Sequence, residues 1–292
     1  MSGSLVQAAL PAPRPCSVAR NVIAFARREV RDAVSSRWFV LCTGAFALLA
    51  VGVSFMSLAG SGSSGFAGFG RTAAGLLNMI MLIVPLMALA AGAGSIAGER
   101  ERGTLLYLLA QPVSRLELLL GKYLGLGIAL TGSLCIGFGL STGVLAAKAG
   151  GADAGAMLAL VASTCLLAWV MLGVGMVISV VSRKVAVATG VGLFVWLALV
   201  FVSDLGLMAG AIVFKLRVQE LFILAMLNPL QAFKMGVIVQ MNASLDVLGP
   251  AGMYASQTYG NSLPWMLVGV LLAWGILALA AAAILFTRKK SI

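Results

Sequence analysis

The sequence contains no histidine among its 292 residues, and only 10% of the residues are charged. Histidine is the usual general base near neutral pH and the commonest metal ligand, so most catalytic and metal sites are disfavoured together. The HExxH zinc motif is excluded outright, and no GxxxxGK[ST] phosphate-binding loop occurs. A membrane enzyme is therefore disfavoured, and the chain is expected not to hydrolyse ATP by itself.

Cysteine is also scarce. The four cysteines are Cys16, Cys42, Cys135 and Cys165, and none forms a CxxC pair. The last three fall in apolar runs, where cysteine behaves as a small hydrophobic residue. Neither a disulfide framework nor a zinc site is expected.

Apolar residues are what the sequence has in excess. They make up 61% of the chain, and the mean hydropathy is +1.06, which indicates a polytopic membrane protein. A bilayer is crossed by about 20 apolar residues in a helix. The sequence predicts an all-α fold with six membrane spans, over residues 39–59, 74–97, 122–146, 155–181, 185–208 and 264–286.

The net charge of +11 indicates topology rather than nucleic-acid binding, because basic residues accumulate in cytoplasmic loops. With six spans, fifteen Lys and Arg residues fall on one side of the membrane and five on the other. Both termini are therefore predicted to be cytoplasmic. A cleaved signal peptide at the first span is disfavoured, since the apolar run has full spanning length and a long basic region precedes it.

Two segments precede the first span. Residues 1–19 contain several prolines without an apolar period and are predicted to be disordered. Residues 20–38 place apolar side chains at helical spacing with a basic opposite face, which is typical of a helix at a membrane surface. The residues expected at that surface are Arg27, Arg28, Arg31 and Trp38.

Residues 209–263 form a long insertion that the charge count places outside the membrane. The insertion is moderately apolar and is interrupted at Asn228–Pro229. We expect short amphipathic or partly re-entrant helices on the outer face. A hidden seventh span over about 205–226 is the alternative, but Lys215 and Arg217 at its centre would each cost about 2.5–3.5 kcal/mol.

Ion transport and metal binding have weaker support. The predicted spans contain almost no ionisable residue, and Asp204 lies near the outer end of the fifth, which argues against a secondary transporter. Fourteen methionines raise a copper(I) hypothesis, because thioethers suit that ion. Methionine in an apolar bundle is more often a packing residue, and no metal site is predicted.

Residues 98–122 read GERERGTLLYLLAQPVSRLELLLGK and separate the second span from the third. Four consecutive charges precede a leucine-rich helix that Pro112 ends. Ser114 and Glu117 then have the spacing of a capping box for the next helix. A connection that only reverses the chain needs a few residues. The extra length predicts contact with a soluble partner.

The stretch GERERGTLLYLLAQPVSRLELLLGKYLG (98–125) resembles the signature of ABC-2 type permeases, the membrane subunits of one class of ATP-binding-cassette transporters. The resemblance implies that residues 39–292 form a six-helix transmembrane domain. Residues 98–121, which we call the coupling segment, would dock in a groove of a cytoplasmic ATPase. The docking residues implied are Glu99, Arg100, Glu101, Arg102, Gly103, Thr104, Pro112, Ser114 and Arg115.

The same resemblance implies a homodimer, packed through the first and fifth spans, with two ATPase subunits. ATP and Mg²⁺ would bind to the ATPase, and this chain would bind no cofactor. The alternatives are a non-transporting anchor that relays ATP-driven motion to an outer partner, and an exporter of another substrate.

The stretches LNPLQAFKM (227–235) and LDVLGPAGMYA (245–255) are similar to permeases of nitrous oxide reductase maturation systems. This similarity implies a bacterial inner-membrane protein that serves copper-site maturation or sulfur-species export. A periplasmic β-helical protein and a copper chaperone would be partners, with outer contacts at Asn228, Pro229, Phe233 and Lys234. The absence of histidine argues against direct copper conduction.

Overall fold

The computed structural model of the chain describes residues 18–59, 65–110, 113–149, 154–214, 216–240 and 250–288. All regular elements within these ranges are helical, which confirms the predicted all-α class. The helices are α1 (Val18–Ser35), α2 (Arg37–Ala59), α3 (Gly65–Glu101), α4 (Thr104–Leu109), α5 (Arg115–Ala149), α6 (Ala154–Val181), α7 (Val185–Ile212), α8 (Val218–Met226), α9 (Pro229–Gln240), α10 (Pro250–Tyr259) and α11 (Leu263–Arg288). A short 3₁₀ helix, Gly260–Ser262, precedes α11.

Six of these helices are long and apolar enough to cross a bilayer, which confirms the predicted number of spans. Their spanning parts are Arg37–Met56, Gly75–Glu101, Arg115–Val144, Gly155–Val181, Val185–Gly210 and Gln257–Arg288. Helix α5 has 35 residues and is therefore about 52 Å long, against about 30 Å of hydrocarbon. It begins seven residues before the predicted span, because a helix can extend beyond the apolar run that crosses the bilayer.

Helix α6 lies at the centre of the bundle, in contact with α3, α5, α7, α9 and α11. The contact with α3 is a close approach of two backbones. A Cβ atom on Gly92 would lie 2.5 Å from the carbonyl oxygen of Leu172, and one on Gly175 would lie 2.6 Å from that of Leu89. Only glycine permits this spacing between the two backbones. Because lipid is as apolar as the side chains, helices in a membrane associate mainly through such close packing.

Helix α2 packs along α5 through two polar side-chain pairs and an aromatic pair. Thr43 and Ser133 are hydrogen-bonded through their hydroxyl oxygens at 2.7 Å. The rings of Phe46 and Phe138 meet edge to face at 5.4 Å. Ser141 shares a 2.6 Å hydrogen bond with Ser54. Ser141 is also the serine of a GxSxG stretch, residues 139–143. Because this stretch lies inside helix α5 and not at a strand-to-helix turn, it is not a nucleophile elbow.

Helix α1 packs along the first turns of α5. A Cβ atom on Gly121 would lie 2.4 Å from that of Phe25, and one on Gly125 would lie 2.6 Å from the carbonyl oxygen of Ala26. The predicted amphipathic helix over 20–38 is thus formed, begins two residues earlier and breaks at Ser36. Residues 1–17, most of the predicted disordered segment, lie outside the described residues.

Several connections meet at one end of the bundle, which we call the charged end: residues 98–121, residues 182–185 and the last turn of α11. Contacts from Arg100 to Ser182 and from Arg115 to Phe286 join these segments. Helix α1 lies beside them.

Within the described residues, the predicted insertion 209–263 contains the short helices α8, α9 and α10. Helix α7 ends at Ile212 and α8 starts at Val218, so the hypothetical continuous span over about 205–226 does not form. Helices α8 and α9 make a pair bent by 106°, which we call the hairpin. Most residues of α9 are buried, and α9 contacts α6 and α11. Helix α9 therefore packs into the bundle, and a bent pair of this kind fits the partly re-entrant helices that we expected; their place relative to the outer face stays a prediction.

Candidate functional site

The coupling segment folds as a helix, a tight turn and a short helix. Helix α3 ends at Glu101, Gly103 turns the chain with a φ of 73°, and α4 follows at once. A positive φ costs glycine little and other residues more, so glycine suits this turn. The predicted stop at Pro112 lies outside the described residues.

Glu99 lies inside the protein at the charged end and is only 3% exposed. One carboxylate oxygen lies 3.3 Å from the Lys122 ammonium and 3.9 Å from the Arg28 guanidinium. The hydroxyl of Thr104 donates to the other oxygen. Lys122, also 3% exposed, forms a second ion pair with Glu29. This buried network joins α1, α3 and α5, and removing one charge would leave the others unpaired.

The next two residues tie α3 to the connection between α6 and α7. The Arg100 guanidinium donates to the carbonyl oxygens of Val180, at 3.1 Å, and of Ser182. These carbonyls belong to the end of α6, where a cation is favourable. A carboxylate oxygen of Glu101 accepts a 2.8 Å hydrogen bond from the backbone N–H of Val185, the first residue of α7. Both charges thus complement helix ends.

The start of α5 has the predicted capping box. The backbone N–H of Glu117 donates to the Ser114 hydroxyl at 3.2 Å, and its carboxylate accepts from the Ser114 N–H at 3.4 Å. Asn21 of α1 donates to the same carboxylate at 2.9 Å. The Arg115 guanidinium donates to the carbonyl oxygen of Phe286 at 3.0 Å, which fastens this turn to α11.

Helix α4 carries the exposed part of the segment. Leu105 and Leu108 are buried against the bundle, while Leu106 and Tyr107 are 59% and 74% exposed. Leu106 and Tyr107 thus place two large, neighbouring side chains on the surface close to the exposed charge of Arg102. We call Arg102, Gly103, Thr104, Leu106 and Tyr107 the tip, because all five are exposed.

The predicted docking residues therefore fall into two groups. Glu99 and Arg100 are held by bonds within the chain, and Glu101, though exposed, caps α7. Arg102, Gly103 and Thr104 form the tip. Docking itself stays a prediction for all of them. Sequence reasoning did not identify Lys122 and Glu29 as members of the network. The available signals were that Lys122 starts an apolar run and that Glu29 is the only acidic residue within RREVR (27–31).

The four residues predicted at the membrane surface also differ in whether they form bonds within the chain. Arg27, Arg31 and Trp38 are exposed. Arg28 is exposed as well, but its guanidinium also forms ion pairs with Asp32, at 3.6 Å, and with Glu99.

The residues predicted to contact an outer partner lie in the hairpin. Pro229 and Phe233 are buried, and Lys234 is half-buried. The Asn228 amide donates at 2.6 Å to the carbonyl oxygen of Leu199, near the middle of the α7 span. These side chains serve packing inside the chain in this conformation, and contact with an outer partner stays a prediction.

Within the described ranges, no group of three or more His, Cys, Asp or Glu side chains is close enough to hold an ion. The methionine-based copper(I) hypothesis is not addressed by this observation.

Six spanning helices, with a braced helix–turn–helix between the second and the third, define a polytopic membrane protein. A family model described as "ABC-2 family transporter protein" matches residues 23–291, and the chain belongs to that family. Two similar proteins are both named "Probable ABC transporter permease protein NosY". The one from Stutzerimonas stutzeri is 32% identical over 270 residues, covering 90% of this chain and 97% of the relative. The one from Pseudomonas aeruginosa is 31% identical with the same coverage.

Proposed function

We propose that this ABC-2 permease is moved by a separate cytoplasmic ATPase that docks on the tip. The observation that carries the proposal is the contrast within the coupling segment. Leu106 and Tyr107 present an apolar surface, while the residues just before α4 are bonded to α1, α5, α6 and α7. A force applied at the tip would therefore reach most of the bundle. Apolar anchors surrounded by charge are typical of specific interfaces.

The wider assignment follows the resemblance of residues 227–235 and 245–255 and the names of the relatives. In this proposal the chain serves copper-site maturation of nitrous oxide reductase in a bacterial inner membrane, with both termini cytoplasmic. It works as a homodimer with two ATPase subunits, a periplasmic β-helical protein and a copper chaperone. In this proposal the two copies pack through the first and fifth spans, α2 and α7.

The docking proposal is tested by co-purification with a co-expressed ABC ATPase from the same organism. The variant Leu106→Ser/Tyr107→Ser should lower the amount of bound ATPase at least about tenfold, since buried aromatic and aliphatic anchors dominate interfaces. Val213→Ser/Phe214→Ser is the matched control, because those residues are similarly exposed, at 70% and 71%, at the opposite end of α7. Equal ATPase binding by the tip variant and the wild-type protein would refute docking at the tip.

A relay anchor is the second candidate, because the hairpin packs against both α6 and α11. Such an anchor would transmit motion without moving a substrate. Proteoliposomes that contain permease and ATPase distinguish the two. ATP-dependent loss of a sulfur-containing solute from one side favours transport, whereas ATP-dependent release of an outer partner without solute movement favours the anchor.

A further inference from the structure

A groove of about 700 Å³ runs between α1 and α5 at the charged end. Its floor is apolar and includes Val30 and Val34 of α1 and Leu124 and Ile128 of α5. Val34 and Ile128 are 60% and 53% exposed, although both lie beside a close helix contact. The groove exists because Gly121 and Gly125 bring the two backbones together and leave the flanking side chains apart. Exposed apolar surface of this extent indicates an apolar occupant.

The groove starts at the level where the chain begins to cross the bilayer. The span of α2 begins at Arg37, three residues after Val34. Trp38 is 63% exposed, and exposed tryptophan is typical of the membrane–water interface. Ile128 belongs to the spanning part of α5. The apolar floor is therefore reached from the lipid, and the rest of the groove extends into the headgroup layer.

The rim of the groove on that headgroup side is basic. Arg27 and Arg31 both line it, and they are one helical turn apart on exposed positions. The structure pairs neither with a carboxylate within the described ranges, in contrast to Arg28 between them. Two neighbouring guanidinium groups match the geometry and charge of a phosphate.

We propose that this groove binds one acidic phospholipid of the surrounding membrane. An acyl chain lies against Val34, Leu124 and Ile128, and the phosphate is held by Arg27 and Arg31. The lipid then packs against the side of α1 that lines the groove, while the Lys122–Glu29 pair holds the side of α1 that faces the bundle. This site is additional to ATPase docking, which uses a different surface.

The proposal is tested on the full-length permease, delipidated in detergent, by native mass spectrometry during titration with phosphatidylglycerol or phosphatidylcholine. We expect one tightly bound phosphatidylglycerol per chain and much weaker phosphatidylcholine binding. Arg27→Gln/Arg31→Gln should weaken phosphatidylglycerol binding about thirtyfold, the factor expected for two basic residues at an anionic headgroup. Ile128→Trp should also weaken it, since the larger ring fills the floor.

Arg102→Gln/Arg288→Gln is the matched control, because it removes two exposed arginines at the same end that do not line the groove. Three outcomes would overturn the proposal: equal binding of the two lipids, no difference between Arg27→Gln/Arg31→Gln and the control, or competition by millimolar inorganic phosphate alone. The last would identify a free-anion site instead of a lipid site. A circular dichroism spectrum of each variant separates lost binding from lost folding.

Discussion

The two ends of the bundle are held together in different ways. At the charged end, ion pairs join residues far apart in the chain, as between Glu29 and Lys122, which are 93 positions apart. At the hairpin, burial of apolar α9 residues is joined by two side-chain hydrogen bonds to other helices, from Asn228 to the carbonyl oxygen of Leu199 and from Ser163 to Gln240. The charged end therefore depends on matched charges, and the hairpin depends on packing.

This difference indicates where motion can be transmitted. A buried ion pair is expensive to break, so helices that share one tend to move together. Helices α1, α3 and α5 share the network around Glu99, whereas α9 of the hairpin is held mainly by apolar burial. We expect α1, α3 and α5 to move as a unit with the tip, and the hairpin to adjust to that movement.

The largest effect is expected for Lys122→Met, which removes the central cation of the network. Glu29 would then lose its ion-pair partner and Glu99 would keep only the 3.9 Å contact with Arg28, so the free energy of unfolding should fall by about 3–5 kcal/mol. Thermal unfolding in detergent measures this loss. The triple variant Lys122→Met/Glu29→Gln/Glu99→Gln is the control, because it leaves only the half-exposed Arg28 charged in the network and should recover much of the stability. Loss of under 1 kcal/mol in the single variant would mean that the network is not stabilising.

Charge reversal at Glu99 is unsuitable as a test of docking for the same reason. Glu99→Lys would place a second ammonium beside Lys122 in a buried site and would unfold the charged end before any partner is considered. Changes at the exposed tip avoid this problem.

A smaller effect is expected where α1 packs on α5. Gly125→Val places methyl groups where even a Cβ atom would lie 2.6 Å from Ala26, so α1 must shift, at a cost of about 1–3 kcal/mol. Partial detachment should loosen the helical backbone at the exposed arginines of α1, and the rate of trypsin cleavage there measures it. Gly132→Val is the matched control in the same helix, because no neighbouring atom lies within 4 Å of its Cβ position. Equal cleavage rates in the two variants would contradict the close packing.

The sequence was sufficient for the features that depend on local patterns. The six spans follow from runs of about 20 apolar residues, and the Ser114–Glu117 capping box follows from spacing and is confirmed by its hydrogen bonds. Both features need only neighbouring residues.

Features that depend on distant residues could not be predicted. Nothing in the sequence pairs Lys122 with Glu29, because the pairing requires α1 to pack on α5. The burial of α9 was missed for a related reason. An apolar helix of 12 residues is too short to span, and only its contacts with α6 and α11 show that it enters the bundle.

The smallest effect is expected at the turn of the hairpin, for Asn228→Ala. The amide donates to Leu199, and its oxygen accepts a 2.9 Å hydrogen bond from the backbone N–H of Leu230, which caps α9. Because neutral hydrogen bonds contribute modestly, the free energy of unfolding should fall by about 1 kcal/mol. Thermal unfolding measures this against Asn78→Ala, an exposed asparagine on α3.

The size of this loss tests the contrast between the two ends. If packing holds the hairpin, the buried apolar surface of α9 remains after Asn228→Ala, and the protein should keep its cooperative unfolding. A loss as large as that of Lys122→Met would show that the opposite end also depends on a polar bond, and that the hairpin is braced as firmly as the charged end. A loss near 1 kcal/mol with unchanged ATPase binding would support the comparison, with a rigid unit at the charged end and an adjustable hairpin.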